Sequence, residues 1–298
     1  MWRGCSLSKE IAVIGYGAWG RQHVRVLRAL GALRYAYDSD NDVRAQMLRD
    51  GVSTCSLYAM WEDRGLKGVV IATPPATHKN LTLDALAASK AVLVEKPMAL
   101  TVADAEEMAR AAEAAKVPLM VGHTMRYHGG FIDLWDAVQV GYVGRLEYLY
   151  SHRLQPGRVR SDVSCLWSLA PHDASMLIAV AGMPVSLSCT QGVSRTGLAD
   201  IITATLEFVD DVHGHFFVSW LHPAKQREFV VVGELRALVM EQDPPDEPLE
   251  IELSLFIEGI RTGEPMSTST DAKAGINVVR VLEACERSMQ QGGVRVCL

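Results

Sequence analysis

Ile11-Ala12-Val13-Ile14-Gly15-Tyr16-Gly17-Ala18-Trp19-Gly20 decides how the rest of the chain is read. Four consecutive apolar residues suit a strand buried on both faces, as in a parallel sheet. They run directly into Gly-x-Gly-x-x-Gly, and helical periodicity begins beyond it. Val24, Leu27 and Leu30 fall on one face and Arg21, Arg25 and Arg28 on another. Gly15 allows the tight turn out of the strand, Gly17 lets the backbone approach a pyrophosphate, and Gly20 permits close packing of helix on strand. The helix then points its N-terminus at the phosphate charge. Asp38 closes the next apolar run eighteen residues after Gly20, near the ~20 expected for an acid that bonds a ribose diol. Asp38 would repel a 2′-phosphate, and Ser39 rather than an arginine follows it, so NAD is favoured over NADP.

Outward from this stretch, residues 33–37 read as a second strand and 41–50 as a helix. Residues 68–73 form a continuous apolar strand that stops at Pro74-Pro75, which cannot extend a ladder. A helix over 78–89 and a strand over 91–94 follow. Thr101 is placed to cap a helix reaching about residue 116, and 117–122 gives one more strand. Strands alternating with helices imply right-handed crossovers and a doubly wound parallel sheet. After about residue 123 the texture changes. Residues 145–153 alternate, 201–208 and 212–220 flank Asp210-Asp211, and 228–232 and 236–240 flank another turn. The acidic, Pro-rich stretch 241–248 reads as a surface loop, and a helix closes the chain over about 271–290. The expected α/β organisation is a Rossmann domain over 1–122, then an α+β domain over 123–298 dominated by a mainly antiparallel sheet whose strands are joined without intervening helices.

Composition sets the outer bounds. The 298 residues carry 29 Lys+Arg against 35 Asp+Glu, a net charge of −6, with 49% hydrophobic and 21% charged residues. This excludes a disordered chain and permits a sizeable core. An acidic chain without basic blocks argues against a nucleic-acid footprint or a polybasic membrane patch. No apolar run approaches the ~20 residues of a bilayer span, and Met1-Trp2-Arg3-Gly4-Cys5-Ser6 holds no apolar signal segment, so the cytosol is the expected compartment. Six scattered cysteines without a C-x-x-C pair read as reduced core residues, and no metal site is expected.

Three features can carry chemistry. Glu95-Lys96-Pro97 follows a parallel strand at its carboxyl end, where open α/β sheets place their ligands. A lysine there, desolvated and beside a cationic nicotinamide, can serve as a base near neutral pH. His172, in Ala170-Pro171-His172-Asp173, is a neutral-range proton carrier. Arg153, Arg158 and Arg160 cluster around Pro156-Gly157 as either a phosphate clamp or a solvated loop.

Gly15-Tyr16-Gly17-Ala18-Trp19-Gly20, Ala72-Thr73-Pro74-Pro75-Ala76-Thr77-His78, Glu95-Lys96-Pro97 and Val121-Gly122-His123-Thr124-Met125-Arg126-Tyr127 stand in the order and spacing of the glucose–fructose oxidoreductase/inositol dehydrogenase (Gfo/Idh/MocA) family, which the whole chain resembles. The resemblance implies an NAD(P)-dependent sugar or polyol dehydrogenase. It implies cofactor contacts along Gly15, Tyr16, Gly17, Ala18, Trp19, Gly20, Asp38, Ser39, Thr73, Pro74, Pro75, His78, Glu95, Lys96 and Arg126. It also places Lys96, followed by a cis proline, at the nicotinamide and the reacting carbinol. The family usually carries Asp-x-x-x-His in its second domain. Here the histidine corresponds to His172, but position 168 is serine. That leaves Lys96 and His172 as the acid/base pair, because Asp173 would point elsewhere on a helix. Related enzymes are commonly dimers or tetramers built on the sheet of the second domain, so a homo-oligomer is implied.

A narrower resemblance lies in residues 151–160, 166–173 and 218–223. It is similar to the branch that oxidises UDP-N-acetylglucosamine-type sugars at C3. It implies substrate contacts from Lys96, Arg153, Arg158, Arg160, Trp167, Ser168 and His172, and a nucleotide diphosphate would also find Lys225 and Arg227. Other readings share these motifs: a reductase of dTDP-3-keto sugars, an inositol-type polyol dehydrogenase, and a non-catalytic NAD-binding sensor.

Overall fold

The strand β1 (Ile11–Ile14) is buried along its whole length, and parallel neighbours pair with it on both edges: β2 (Leu33–Tyr37) and β3 (Gly68–Ile71). The computed structural model describes residues 9–156, 162–192, 194–195, 197–240, 247–263 and 269–298. Within it the sheet continues through β4 (Ala91–Glu95) to β5 (Leu119–Gly122), all parallel, in the order β2-β1-β3-β4-β5. Five helices connect these strands: α1 (Ala18–Ala29), α2 (Asn41–Arg49), α3 (Leu57–Glu62), α4 (His78–Ala87) and α5 (Val102–Ala115). Asp40 caps α2 with its carboxylate, and Ser56 caps α3 with its hydroxyl. The chain moves outward from β1 to β2 and then crosses to β3 on the other side. The point where strand order reverses therefore lies between β1 and β3, and the turns after these two strands flank it.

The remaining elements are α6 (Gly129–Gln139), β6 (Leu146–Pro156), α7 (Cys165–Ala181), β7 (Ser186–Gly192), β8 (Ile201–Glu207), β9 (His213–Ser219), β10 (Leu221–Gly233), β11 (Ala237–Val239), α8 (Pro248–Thr262), α9 (Ala272–Gln290) and β12 (Val296–Cys297). A seven-stranded sheet runs β11-β10-β6-β9-β8-β7-β12, antiparallel except for the β6–β9 pair. The two expected hairpins are present as β8–β9 and β10–β11. Helix α7 packs against β6, β8 and β9. It stands between β6 and β7, a stretch for which sequence reading set no helix bounds, although it placed His172 and Asp173 on a helical turn. Most of its residues are buried, so it shows no amphipathic stripe, and Pro171 interrupts the run that would otherwise read as a helix.

The chain divides into two compact units and passes from the first to the second at Gly122–His123. The stretch expected as one second domain, 123–298, is not a single unit: Leu249–Gly275 belongs to the first, together with the parallel sheet. The reason is packing. Gly68 on β3 leaves room for α8, since a Cβ there would lie 2.6 Å from Ile260 Cδ1 and 3.1 Å from Phe256. Arg261 also donates to Glu10 at 3.2 Å, and the Val121 N–H donates to the Thr270 carbonyl at 2.8 Å. The second unit comprises Leu100–Val102, His123–Pro248 and Ile276–Leu298. Part of the expected acidic loop, residues 241–246, lies outside the described residues. Among the described residues no helix is long and apolar enough to cross a membrane.

Candidate active site

In the first unit, the turn after β1 uses its three glycines differently. Gly15 has φ +97°, and a Cβ there would meet the Ala72 carbonyl oxygen at 2.6 Å. A Cβ on Gly20 would meet the Gly15 oxygen at 2.0 Å. A Cβ on Gly17 would meet nothing within 4 Å. Two glycines thus close the strand–helix junction, and the third keeps backbone open to a ligand. Gly17 is the N-cap of α1 and no side chain caps it, so the first amides of a 12-residue helix stay available to an anion. Ala18 and Trp19 are exposed beside it.

Asp38 stands just past β2, its Oδ2 accepting the Tyr16 N–H at 2.7 Å and its Oδ1 the Asp40 N–H at 3.0 Å. Tyr16 itself is buried, its hydroxyl donating to Asp50 at 3.0 Å and its ring under Arg21 at 5.1 Å. Burial, then the Asp50 carboxylate, push its phenol up. Ser39 is exposed. On the turn after β3, the Thr73 and Thr77 hydroxyls share a 2.7 Å hydrogen bond, Pro74 is exposed, and Pro75 opens a single 3-10 turn. An open glycine, an uncapped helix and a carboxylate past the second strand are the donor set a dinucleotide needs: amides for the pyrophosphate, an acid for the ribose. The residues fit NAD.

The turn after β4 carries Lys96, half-buried and joined to Pro97 by a cis peptide bond. Glu95 is buried beneath it. Its Oε1 accepts from His23 Nε2 at 2.8 Å and from the Trp19 indole N–H, and its Oε2 accepts the Lys96 backbone N–H at 3.1 Å. Burial alone would raise this carboxyl. The His23 hydrogen bond and charge, with Lys96 and Trp19, outweigh it and hold Glu95 ionised, below its usual range. Gly122 on β5 makes room, since a Cβ there would come within 3.0 Å of Oε1. Trp19 stays 44% exposed while its ring meets His23 edge-on at 5.8 Å. His78 is fully buried, Nδ1 2.9 Å from the Pro97 carbonyl and Nε2 2.9 Å from the Thr73 carbonyl. It ties the turn after β3 to the turn after β4. His78 and Glu95, both expected at the cofactor, thus brace these two turns through their own hydrogen bonds.

In the second unit, Ser168 and His172 lie one turn apart on α7 and share a face, both half-buried. Asp173 faces the other way, toward the sheet. It is fully buried and accepts from Ser151 at 2.6 Å and from Arg153 Nε at 2.9 Å. Arg153, expected as part of a substrate clamp, is 5% exposed and spent on this ion pair, because its position on β6 turns it inward with Leu149 and Ser151. Trp167, expected at the substrate, is buried with its indole N–H on Glu286 at 2.6 Å. Arg126 lies over the Phe131 ring at 5.3 Å and donates to the Ser175 carbonyl. Burial pulls it down to about 10, still a cation at neutral pH. Lys225 is exposed and Arg227 half-buried on β10, while Arg158 and Arg160 lie outside the described residues.

Sequence reading missed His23 and the Ser151–Arg153–Asp173 cluster. A signal for His23 exists: it is a polar residue beside Val24 and Leu27 on the apolar side of α1, and a buried polar group requires a partner. The Arg153–Asp173 pair has no such signal, because strand parity and helix phase must be known together to bring the two residues into contact.

Residues 9–123 match the model of the oxidoreductase family with the NAD-binding Rossmann fold, and residues 131–239 match the GFO/IDH/MocA C-terminal domain. An inositol 2-dehydrogenase from Burkholderia cenocepacia (strain HI2424) is 28% identical, over 97% of this chain and 96% of its own length. A UDP-N-acetylglucosamine 3-dehydrogenase from Acidithiobacillus ferrooxidans is 28% identical over 64% of this chain and 61% of its own. The crystal structure of GenD2 from gentamicin A biosynthesis, in complex with NAD, superposes with a TM-score of 0.90 at 23% identity, covering 100% of this chain and 99% of that one. With the glycine turn, the Asp38 carboxylate and the Glu95-Lys96-Pro97 turn in place, the chain is a member of the GFO/IDH/MocA family of NAD-binding oxidoreductases.

Proposed function

We propose that this oxidoreductase oxidises the C3 hydroxyl of a nucleotide-activated, UDP-linked amino sugar, with Lys96 and His172 as its acid/base pair. The observation that carries the reading is the construction of the Lys96 turn: an amine at the carboxyl end of a parallel strand, braced from below by Glu95 and His78 and adjoining the dinucleotide turn. NAD, when bound, accepts the hydride. Gly17 and the first amides of α1 receive the pyrophosphate, and Asp38 receives a ribose hydroxyl. Lys96 in its amine form takes the hydroxyl proton from the substrate, while the C3–H electron pair leaves as hydride. The carbinol carbon is oxidised by two electrons and the amine becomes an ammonium. His172 hydrogen-bonds the same hydroxyl and orients it, and Ser168 stands one turn away where the family pattern has an aspartate. Holding these groups fixed supplies most of the rate, since the redox chemistry belongs to the cofactor.

The UDP assignment is supported by the UDP-N-acetylglucosamine relative and by the cations at 158, 160, 225 and 227, with Arg153 removed from that set by its pairing. A second reading, oxidation of a free polyol, is favoured by the inositol relative that matches along nearly its whole length. Formation of reduced nicotinamide with UDP-N-acetylglucosamine, a dTDP-hexose and myo-inositol separates them. Turnover of the UDP-sugar, with a KM raised by Arg158→Ala, is the expected result. Turnover of myo-inositol alone, with Arg158→Ala without effect, overturns the UDP assignment.

The outer face of the second sheet carries a half-buried row of Tyr148, Tyr150, His152, His215 and Phe217, with Tyr150 and His215 stacked at 5.1 Å. We assign this row to contact with a second copy of the chain. Sedimentation at micromolar concentration tests it, a dimer or tetramer being expected and a monomer contrary.

A further inference from the structure

The acid/base lysine is held by its backbone, and the hold begins on a different element. His23 of α1 is fully buried, with Nε2 2.8 Å from Glu95 Oε1. An ionised carboxylate only accepts, so the proton of this bond sits on Nε2. Nδ1 is buried with no hydrogen-bond partner among the described residues, which leaves Nε2–H as the ring's one polar contact. The Trp19 indole N–H, one turn earlier on α1, donates to the same Oε1. The opposite oxygen, Oε2, accepts the Lys96 N–H at 3.1 Å. One carboxylate thus connects α1 to the peptide nitrogen of Lys96. Rotation of that carboxylate, which two donors on Oε1 prevent, would release the Lys96 amide.

We infer that His23 is a positioning residue for Lys96: its Nε2–H locks the Glu95 carboxylate, and the locked carboxylate fixes the peptide that carries the base. The inference rests on the proposed role of Lys96. It concerns groups beneath the cofactor turn, and it explains why a polar residue occupies the apolar side of α1. Glutamine can place an amide N–H where Nε2–H stands, whereas leucine fills the volume without a donor.

The test is hydrogen exchange of the Lys96 amide in the full chain, followed by NMR, for wild type, His23→Leu and His23→Gln. The account expects His23→Leu to accelerate exchange at Lys96 by about tenfold or more while the amides of Val92 and Leu93 keep their protection, and His23→Gln to restore it. Where a turned-over substrate is in hand, kcat falls about tenfold to a hundredfold in His23→Leu with KM for NAD little changed, and His23→Gln recovers most of it. Unchanged Lys96 exchange in a folded His23→Leu protein overturns the inference, as does acceleration spread evenly over β4 or a loss that glutamine fails to rescue. Lys96→Met separates the two claims. If that variant keeps turnover, the role of Lys96 falls whatever His23 does; if it is inactive while His23→Leu exchanges as wild type, only the positioning role falls.

Discussion

The turn after β1 and the inward face of α7 are built by opposite means. The first is shaped by backbone: Gly15 and Gly20 have no room for a Cβ, Gly17 has open space, and the helix begins without a side-chain cap. The second is shaped by paired side chains, with Asp173 taking bonds from Ser151 and Arg153 in a fully buried setting. Backbone requirements of this kind are written one residue at a time, whereas a buried ion pair is written across two elements. The contrast separates which substitutions cost activity and which cost the fold.

The largest effect falls on the chemistry alone. Lys96→Met should lower kcat by about a thousandfold, within the usual range for a general acid or base, with NADH binding by fluorescence close to wild type. Comparable loss of NADH binding would move Lys96 from catalysis to cofactor anchoring. Next, Asp173→Ala leaves a buried guanidinium without its counter-charge and should cost about 3–5 kcal/mol in denaturant unfolding. Asp173→Leu combined with Arg153→Met should recover most of that, because an apolar pair of similar volume removes the stranded charge. A small loss in the single variant would show that Arg153 finds another partner.

The glycine contrast is smaller. Gly20→Ala forces a Cβ to 2.0 Å from the Gly15 carbonyl and should destabilise by about 1–3 kcal/mol. Gly17→Ala should leave the melting temperature unchanged and weaken NADH binding, since the methyl group occupies only ligand space. Equal effects of the two on stability would break the division of labour assigned to them.

The smallest effect is electrostatic. Arg34 donates to Asp63 at 2.6 Å and holds its carboxyl down at about 2. A depressed carboxyl stabilises the fold above the unfolded-state value and loses that contribution as pH falls through the folded-state value. Stability from this pair should therefore fade between about pH 4 and 2. Arg34→Leu should cost under ~1 kcal/mol at neutral pH, because both side chains are partly solvated. A slope in that pH window unchanged by Arg34→Leu would contradict the pairing.

The comparison also accounts for what could be read in advance. The five parallel strands, the glycine turn and the Lys96 turn were legible because continuous apolar runs, glycines and prolines state their geometry locally. The hairpins β8–β9 and β10–β11 were legible for the same reason. Helix α7 was not: burial on most sides erases the amphipathic stripe, and Pro171 reads as a breaker. The return of Leu249–Gly275 to the first unit was hidden because its signal, space for α8 over Gly68, belongs to the partner strand. Arg153 and Trp167 read as ligand groups since an arginine near a loop and a tryptophan on a helix carry no mark of the carboxylates, Asp173 and Glu286, that claim them.

The central claim is that an amine at position 96, seated beside the dinucleotide turn, releases a sugar hydroxyl for hydride loss. Mixing enzyme in excess with NAD and UDP-N-acetylglucosamine and following one turnover measures this directly. The account predicts a burst of reduced nicotinamide with the native chain and none with Lys96→Met. A burst of equal size and rate from both proteins would contradict it.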